Sequence, residues 1–136
     1  MTSLPESARE LLRRKVYAHV VTTNRDGTPQ LTMVWVDEED GDLVFNTALG
    51  RLKTRNIERD PRVVVSVQDD QDPQQYLLVH GAATVTTDGA DEQIDGLAKK
   101  FMDVDSYPYR DAQQQRVKVR VAASRVSGAG PWADAS

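Results

Sequence analysis

Three basic side chains of a kind that binds anions lie close together in the chain: Arg51, Lys53 and Arg55, directly after Gly50. If a helix starts here, its first backbone N–H groups have no partner within the helix and carry the positive end of the helix dipole. Arginine and lysine side chains at such a start predict a phosphate or carboxylate site. The solvated face of a surface helix gives the same charge pattern, so the local sequence leaves both interpretations open.

The residues on either side of this basic cluster predict the elements that position it. Residues 43–47 (LVFNT) are typical of a strand. Leu52 and Ile57 have the spacing of the buried face of a short helix, and Pro61 ends that helix because the residue before a proline is pushed out of the α region. Residues 63–65 (VVV) are a continuous apolar run, typical of a strand covered on both faces. The basic cluster therefore lies where a strand leads into a helix.

The composition excludes several classes of function. The chain has 136 residues, a net charge of −4 and no cysteine, so it has no disulfide framework, thiolate metal site or cysteine nucleophile. The acidic balance and the lack of a basic tail argue against nucleic acid as the main partner. No apolar run is long enough for a membrane span, and residues 1–10 lack the pattern of a signal peptide. We expect a soluble cytoplasmic protein.

The remaining patterns predict a mainly β chain. A helix opens at residues 4–7, an Asp26-Gly27 turn joins the first two strands, and Gly81 predicts a bend or bulge in a long fifth strand. A later helix spans Asp91–Met102, and a short helical turn covers Asp111–Gln115. The predicted strands are Tyr17–Thr23, Pro29–Val36, Asp42–Thr47, Arg62–Gln68, Tyr76–Thr87 and Arg116–Ser127.

These elements favour an α+β, mainly β fold: a six-stranded antiparallel barrel with short flanking helices. A doubly wound sheet is disfavoured because helices do not alternate with strands. We treat residues 1–136 as one domain. The pattern leaves open whether residues 128–136, with Trp132, form a flexible tail, pack on the domain or cover a site of a partner subunit.

Three motifs, in this order and spacing, resemble a known family over nearly the whole chain. The first is the hairpin at residues 26–31 (DGTPQL), and the second is RLKTRN at residues 51–56, followed by DPR at residues 60–62. The third is HGAA at residues 80–83, with a closing RVSG at residues 125–128. The chain resembles the split β-barrel proteins of the pyridoxamine phosphate oxidase type. More narrowly, it is similar to the actinobacterial branch that uses the deazaflavin coenzyme F420.

The resemblance implies a homodimer with two cofactor sites at the subunit interface. Arg51 and Lys53 match the basic positions that bind the cofactor phosphate, and we expect Lys53 near the surface; Arg55 matches the site less well and could equally face solvent. The second strand is expected to lie along the deazaflavin ring. The full set of expected cofactor contacts is Thr32, Met33, Val34, Trp35, Asn46, Thr47, Arg51, Lys53, Thr54 and Asn56.

The resemblance also implies a function without a metal or an enzymatic nucleophile, because the deazaflavin itself carries the reaction. We expect a reductase that transfers hydride from reduced F420 to an unsaturated or conjugated small molecule. The short chain lacks the C-terminal segment with which the oxidases hold pyridoxal, which favours F420 over FMN. A non-catalytic F420 carrier and an FMN-dependent enzyme of the oxidase type remain the alternatives.

No side chain qualifies as a catalytic acid from the sequence. His80 lies on a predicted strand, where a structural role is the more common one, and His19 is interpreted as structural. Trp35 either flanks the cofactor ring or fills a dimer core. Three tyrosines either line the pocket or pack as core and interface aromatics: Tyr76, Tyr107 and Tyr109.

Overall fold

The computed structural model describes residues 3–135 and contains six antiparallel strands. They are β1 (Tyr17–Thr23), β2 (Pro29–Glu39), β3 (Asp42–Ala48), β4 (Arg62–Gln68), β5 (Tyr76–Thr86) and β6 (Arg116–Ala129). Neighbouring strands pair in the order β1-β2-β3-β6-β5-β4, and the sheet closes on itself. The predicted antiparallel barrel is confirmed.

Short helices flank the barrel: α1 (Glu6–Arg13), α2 (Leu52–Arg59), α3 (Ala90–Met102) and a 3-10 helix at Pro131–Ala135. Helix α1 is amphipathic and buries Leu11 and Leu12 in the core. Helix α3 crosses the outer face of the barrel and contacts β2, β3 and β6. Within residues 3–135, none of the helices combines the length and the apolar character that a bilayer crossing requires.

The barrel interior is filled by alternate side chains of each strand, as the period of two in a β-strand requires. Leu43 and Phe45 of β3 and Val119 and Val121 of β6 are completely buried there. The alternate residues of the same strands point outward. On β3 and β6 this outward face lies beneath α3, and it is there that polar side chains are buried.

Strand β2 is longer than the sequence predicts. The sequence predicts a charged turn at residues 37–41, but the strand continues to Glu39, and only Asp40 and Gly41 turn the chain. The prediction is wrong because tertiary ion pairs neutralise the acidic side chains within the strand. The pairs join Lys100 to Asp37, Arg13 to Glu38, and both Lys118 and Arg120 to Glu39.

The C-terminal part of the chain also differs from the prediction. Strand β6 continues to Ala129, and Trp132 in the following 3-10 helix is 2 % exposed. The Trp132 indole Nε1 donates a hydrogen bond of 2.8 Å to the Tyr76 carbonyl oxygen. Residues 128–133 are therefore packed on the barrel, and Ser136 lies outside the described residues. The predicted helical turn at 111–115 is a plain turn, closed by a hydrogen bond from the Gln114 N–H to the Asp111 carbonyl.

The predicted irregularity at Gly81 is confirmed as a shift of register between β5 and β6, at His80 and Gly81. A Cβ atom on Gly81 would lie 2.3 Å from the Ala122 carbonyl oxygen on β6. Only glycine therefore allows the two strands to approach so closely at this point, where the sheet curls into the barrel.

We expect Gly81→Ala to destabilise the protein by about 1–3 kcal/mol, because the added methyl group overlaps the backbone of β6. The matched control is Gly96→Ala on α3, where a Cβ meets nothing within 4 Å and the exposed helix gains about 0.5–1 kcal/mol. Urea unfolding of both variants measures the two changes. Equal stability of Gly81→Ala and the wild type would contradict the packing described here.

Candidate functional site

A cavity of about 210 Å³ lies on the outer face of the barrel, beneath α3 and beside the start of α2. Strands β2 and β3 form its floor, and the loop between α3 and β6 closes one side. The lining residues are Met33, Val34, Trp35, Asn46, Arg51, Lys53, Ile94, Leu97, Tyr107, Tyr109 and Arg116. The structure thus brings three predicted residues of β2 and two residues of the basic cluster together in one place.

Lys53 is buried against this cavity, with 8 % of its surface exposed. The expectation that it lies near the surface is wrong, because α2 turns Lys53 inward and leaves Leu52 42 % exposed instead. No described residue accepts a hydrogen bond from the Lys53 ammonium or lies within ion-pair distance of it. Burial lowers the pKa of Lys53, and the nearby charges of Arg51 and Arg116 lower it further.

Arg116, the first residue of β6, is a second buried cation in the same cavity, 6 % exposed. Its Nε donates a hydrogen bond of 2.8 Å to Asn46 Oδ1, and its Nη1 is buried without a partner. The Tyr107 ring lies 5.3 Å from the guanidinium carbon. Burial lowers the pKa of Arg116, yet the group stays charged at neutral pH because the ordinary pKa of an arginine lies far above neutrality.

Asn46 of β3 is occupied entirely by protein contacts. Its Nδ2 donates to the Ala90 carbonyl oxygen at 2.8 Å and to Gln93 Oε1 at 2.9 Å, both on α3. Its Oδ1 accepts the bond from Arg116. Asn46 lines the cavity, but its polar atoms hold α3 and Arg116 in place and are not free for a ligand.

The two polar residues of α2 that were predicted as cofactor contacts, Thr54 and Asn56, lie outside the cavity lining. Thr54 Oγ1 donates to the Ala48 carbonyl oxygen at 2.8 Å, which fixes the first turn of α2 to the end of β3. Asn56 Nδ2 donates to Thr22 Oγ1 at 3.1 Å and to Asn24 Oδ1 at 2.9 Å, which fixes the next turn to β1. These bonds set the rotation of α2 and so turn Lys53 inward.

Thr32 and Thr47 are also outside the cavity lining. Thr32 is on the same face of β2 as Val34, and Thr47 is on the same face of β3 as the core residue Phe45. Both hydroxyl oxygens are buried without a hydrogen-bond partner. The structure therefore places these two predicted contacts toward the barrel interior.

Aromatic rings form the apolar wall of the cavity. Trp35 stacks on Phe101 of α3, with ring centroids 5.2 Å apart and planes 2° from parallel. Tyr107 meets Trp35 edge-on at 6.2 Å, and Tyr109 meets Tyr107 at 5.7 Å. Of the three tyrosines considered from sequence, Tyr107 and Tyr109 line the cavity and Tyr76 does not.

The loop that carries Tyr107 is fastened to α3 by the Asp95 carboxylate. Asp95 Oδ1 accepts a hydrogen bond of 2.9 Å from the Tyr107 N–H and also pairs with Arg110. The Tyr107 hydrogen bond and, less strongly, the Arg110 side chain hold the pKa of Asp95 below its usual range. The wall of the cavity thus depends on an ionised carboxylate outside it.

A larger cavity of about 510 Å³ lies on the other side of α2. Its arginines are either solvent-exposed or already bonded to the protein, as Arg59 is to Asn56 Oδ1 at 2.8 Å. Arg55, which the sequence left uncertain, lines this larger cavity and is exposed. We assign the functional site to the smaller cavity, because two cations, Lys53 and Arg116, are buried there without an ion pair to any described residue.

Arg116 is the site residue that the sequence analysis missed. It is one of three alternating cations on β6, and the other two, Lys118 and Arg120, are neutralised by Glu39 and Asp42. The alternation was visible in the sequence. The sequence did not show that Lys118 and Arg120 have acidic partners while Arg116 has none among the described residues, because this depends on which acidic residues the fold brings beside β6.

Comparison with known proteins agrees with this architecture. Residues 4–128 match the pyridoxamine 5'-phosphate oxidase family. The chain belongs to this family. The resemblance noted from the three motifs is thereby confirmed at the level of the family.

Solved structures of other proteins share the barrel fold. A protein named F420 reductase is 31% identical, with a TM-score of 0.79, and the match covers 90% of this chain and 98% of that chain. A conserved hypothetical protein of Mycobacterium tuberculosis is 22% identical (TM-score 0.72, covering 94% of this chain and 84% of that chain). General stress protein 26 of Bacillus anthracis is 18% identical (TM-score 0.68, covering 90% and 91%). At the two lower identities the likeness shows the fold alone.

We expect Lys53→Met to stabilise the ligand-free protein at pH 7 by about 1–2 kcal/mol, because it removes a buried, unpaired charge. Folding disfavours the protonated form of Lys53, so wild-type stability rises with pH between the lowered pKa and the ordinary value of 10.5. The gain from the substitution therefore shrinks over that range. Urea unfolding from pH 7 to pH 10 measures the difference, with exposed Lys15→Met as the control. A destabilised Lys53→Met would show that Lys53 has a counter-charge after all.

Proposed function

We propose that this chain is an oxidoreductase of the coenzyme F420-dependent type and that the cavity described above receives the phosphate end of the cofactor. The observation that supports this most strongly is the pair of buried cations, Lys53 and Arg116, with no acidic partner. Such charges persist in a fold when a ligand supplies the counter-charge. The apolar aromatic wall beside them suits a flat conjugated ring.

The choice of cofactor rests on the 31% identity to the F420 reductase. A bound deazaflavin supplies a hydride, and the protein has to bind, orient and shield it. Lys53, Arg116 and the exposed Arg51 supply positive charge for the phosphate. Met33 and Trp35 offer an apolar surface on β2, and the loop with Tyr107 limits access of water.

A reductase that acts on an unsaturated or conjugated small molecule is the function we favour. The two alternatives are a carrier that binds F420 without turnover and an enzyme that uses FMN. No titratable side chain other than cations and tyrosines lines the cavity. We assign no catalytic acid, and proton supply from solvent is consistent with the reductase proposal.

A fluorescence titration of the purified protein with F420, and in parallel with FMN, tests the cofactor. We expect micromolar or tighter binding of F420 and weaker binding of FMN. Lys53→Met should weaken F420 binding by about tenfold or more, because it removes one charge-assisted contact. Lys15→Met, an exposed lysine outside the cavity, is the control.

The outcomes separate the candidate functions. F420 binding together with oxidation of reduced F420 by enone or quinone acceptors supports the reductase. F420 binding without turnover supports the carrier, and tighter binding of FMN supports flavin chemistry. If neither cofactor binds, the proposed function is wrong.

The proposal includes a homodimer with the site at the subunit interface. Leu31 and Met33 on the outer face of β2 are 62% and 56% exposed, and Tyr17 on the adjacent strand β1 is 44% exposed. They form an apolar surface that is continuous with the cavity through Met33. Exposed apolar patches of this kind favour burial against another protein surface.

We expect a dimer by light scattering at micromolar concentration, and we expect Leu31→Glu to shift it to monomers. Leu52→Glu, an equally drastic change at an exposed leucine of α2, should leave the dimer intact. A monomeric wild-type protein would contradict the shared site, even if the cofactor binds.

A further inference from the structure

We propose that Arg116 is a direct ligand of the phosphate group, and that Asn46 is the residue that positions it. This inference rests on the proposed function only in that the anion belongs to a cofactor. The anion site itself follows from the contacts of Arg116, whichever cofactor supplies the phosphate.

The hydrogen bonds of Arg116 leave most of its donors unused. A guanidinium has five N–H donors, and within the described residues only Nε makes a hydrogen bond. Nη1 is buried without a partner, although the residue is 6 % exposed and lines the cavity. A planar pair of N–H groups matches two oxygens of a phosphate. The free edge of Arg116 therefore has the chemistry of a phosphate ligand.

The electrostatics of the cavity point to the same ligand. The charge of Arg116 acts on Lys53, and no carboxylate of the described residues forms an ion pair with either cation. The Asp91 carboxylate attracts Arg116 only from beyond ion-pair distance. The next two outward cations of β6 form ion pairs: Lys118 Nζ and Arg120 Nη2 are 2.9 and 2.7 Å from oxygens of Glu39. The barrel thus pairs Lys118 and Arg120 with carboxylates and leaves Arg116 without an ion pair, which favours an anion in the cavity.

Asn46 fixes the guanidinium in the cavity. Its Oδ1 holds Arg116 Nε, and its Nδ2 is anchored to Ala90 and Gln93 at the start of α3. A long arginine side chain loses rotamer freedom when it is ordered, and the contact with Asn46 removes that loss from the binding step. Asn46 therefore acts on the ligand through Arg116.

Titration of the purified protein with inorganic phosphate, at constant ionic strength in chloride, tests the site without any cofactor. We expect phosphate to raise the melting temperature of the wild type, and Arg116→Gln to weaken the apparent affinity by about tenfold. Arg120→Gln removes the same charge from the same strand outside the cavity, and its phosphate affinity should stay within about twofold of the wild type.

Two outcomes would overturn the proposal: phosphate affinity of Arg116→Gln within twofold of the wild type, or equal losses in Arg116→Gln and Arg120→Gln. If Arg116→Gln does not fold, Arg116→Lys takes its place. Lysine keeps the charge but lacks the planar fork, so we still expect at least a threefold loss. Unchanged affinity of the lysine variant would then count against Arg116 as a ligand.

A double-mutant cycle separates positioning from a merely structural role. We expect Asn46→Ala to weaken phosphate binding less than Arg116→Gln does. The double variant should bind phosphate no more weakly than Arg116→Gln alone, because Asn46 acts only through the arginine. Additive losses would remove the positioning role from Asn46.

Methyl phosphate and dimethyl phosphate serve as the monoester and diester probes. FMN carries a phosphate monoester, and F420 carries a diester. Preference for methyl phosphate would indicate a terminal phosphate as the ligand, and equal binding would allow either cofactor. If phosphate binds through Arg116 but F420 does not bind, the proposed function fails and this site remains. If F420 binds and the Arg116 variants bind it normally, the site fails and the function remains.

Discussion

The structure depends on one electrostatic constraint: two positive charges, Lys53 and Arg116, are buried, and within residues 3–135 neither forms an ion pair. A shortage of acidic residues is not the cause, since the chain carries a net charge of −4. Elsewhere the fold pairs its half-buried cations, as it does for Lys100 with Asp37. An uncompensated buried charge costs several kcal/mol, so the ligand-free fold gives up stability at this site. On our proposal a phosphate supplies the missing charge, and binding of the cofactor then stabilises the fold by mass action.

The fold produces this arrangement by fixing the positions of α2, β6 and α3 around the cavity. Thr54 and Asn56 set the rotation of α2, which decides that Lys53 and not Leu52 is buried. Pairing of β3 with β6 brings Asn46 beside Arg116, and α3 covers both. The polar residues that the family resemblance suggests as cofactor contacts are thus divided. Some line the cavity, and others form the hydrogen bonds that hold its walls in position.

Local patterns predicted the strands well, because each strand shows the alternation or the apolar run of its own environment. Pro61 ends α2 and Gly81 marks the bulge, as their backbone chemistry requires. The errors share one cause. Positions 37–39 read as a turn because they are acidic, but Lys100 and other distant cations neutralise them within β2. Residues 128–135 were left undecided because nothing near Trp132 in the sequence shows that its indole binds the Tyr76 carbonyl.

The sequence by itself determined the order of the elements, the basic cluster at 51–55 and the motifs of the family, all of which depend on residues close together in the chain. The tertiary structure decided which cations lack a counter-charge. Asn46 and Arg116 are 70 residues apart, and their contact exists only because β3 and β6 pair and α3 folds over them. Burial and charge compensation depend on all the residues that surround a side chain in space. The pattern along the chain therefore indicates that Arg116 points outward, but it does not show that Arg116 lacks an ion pair.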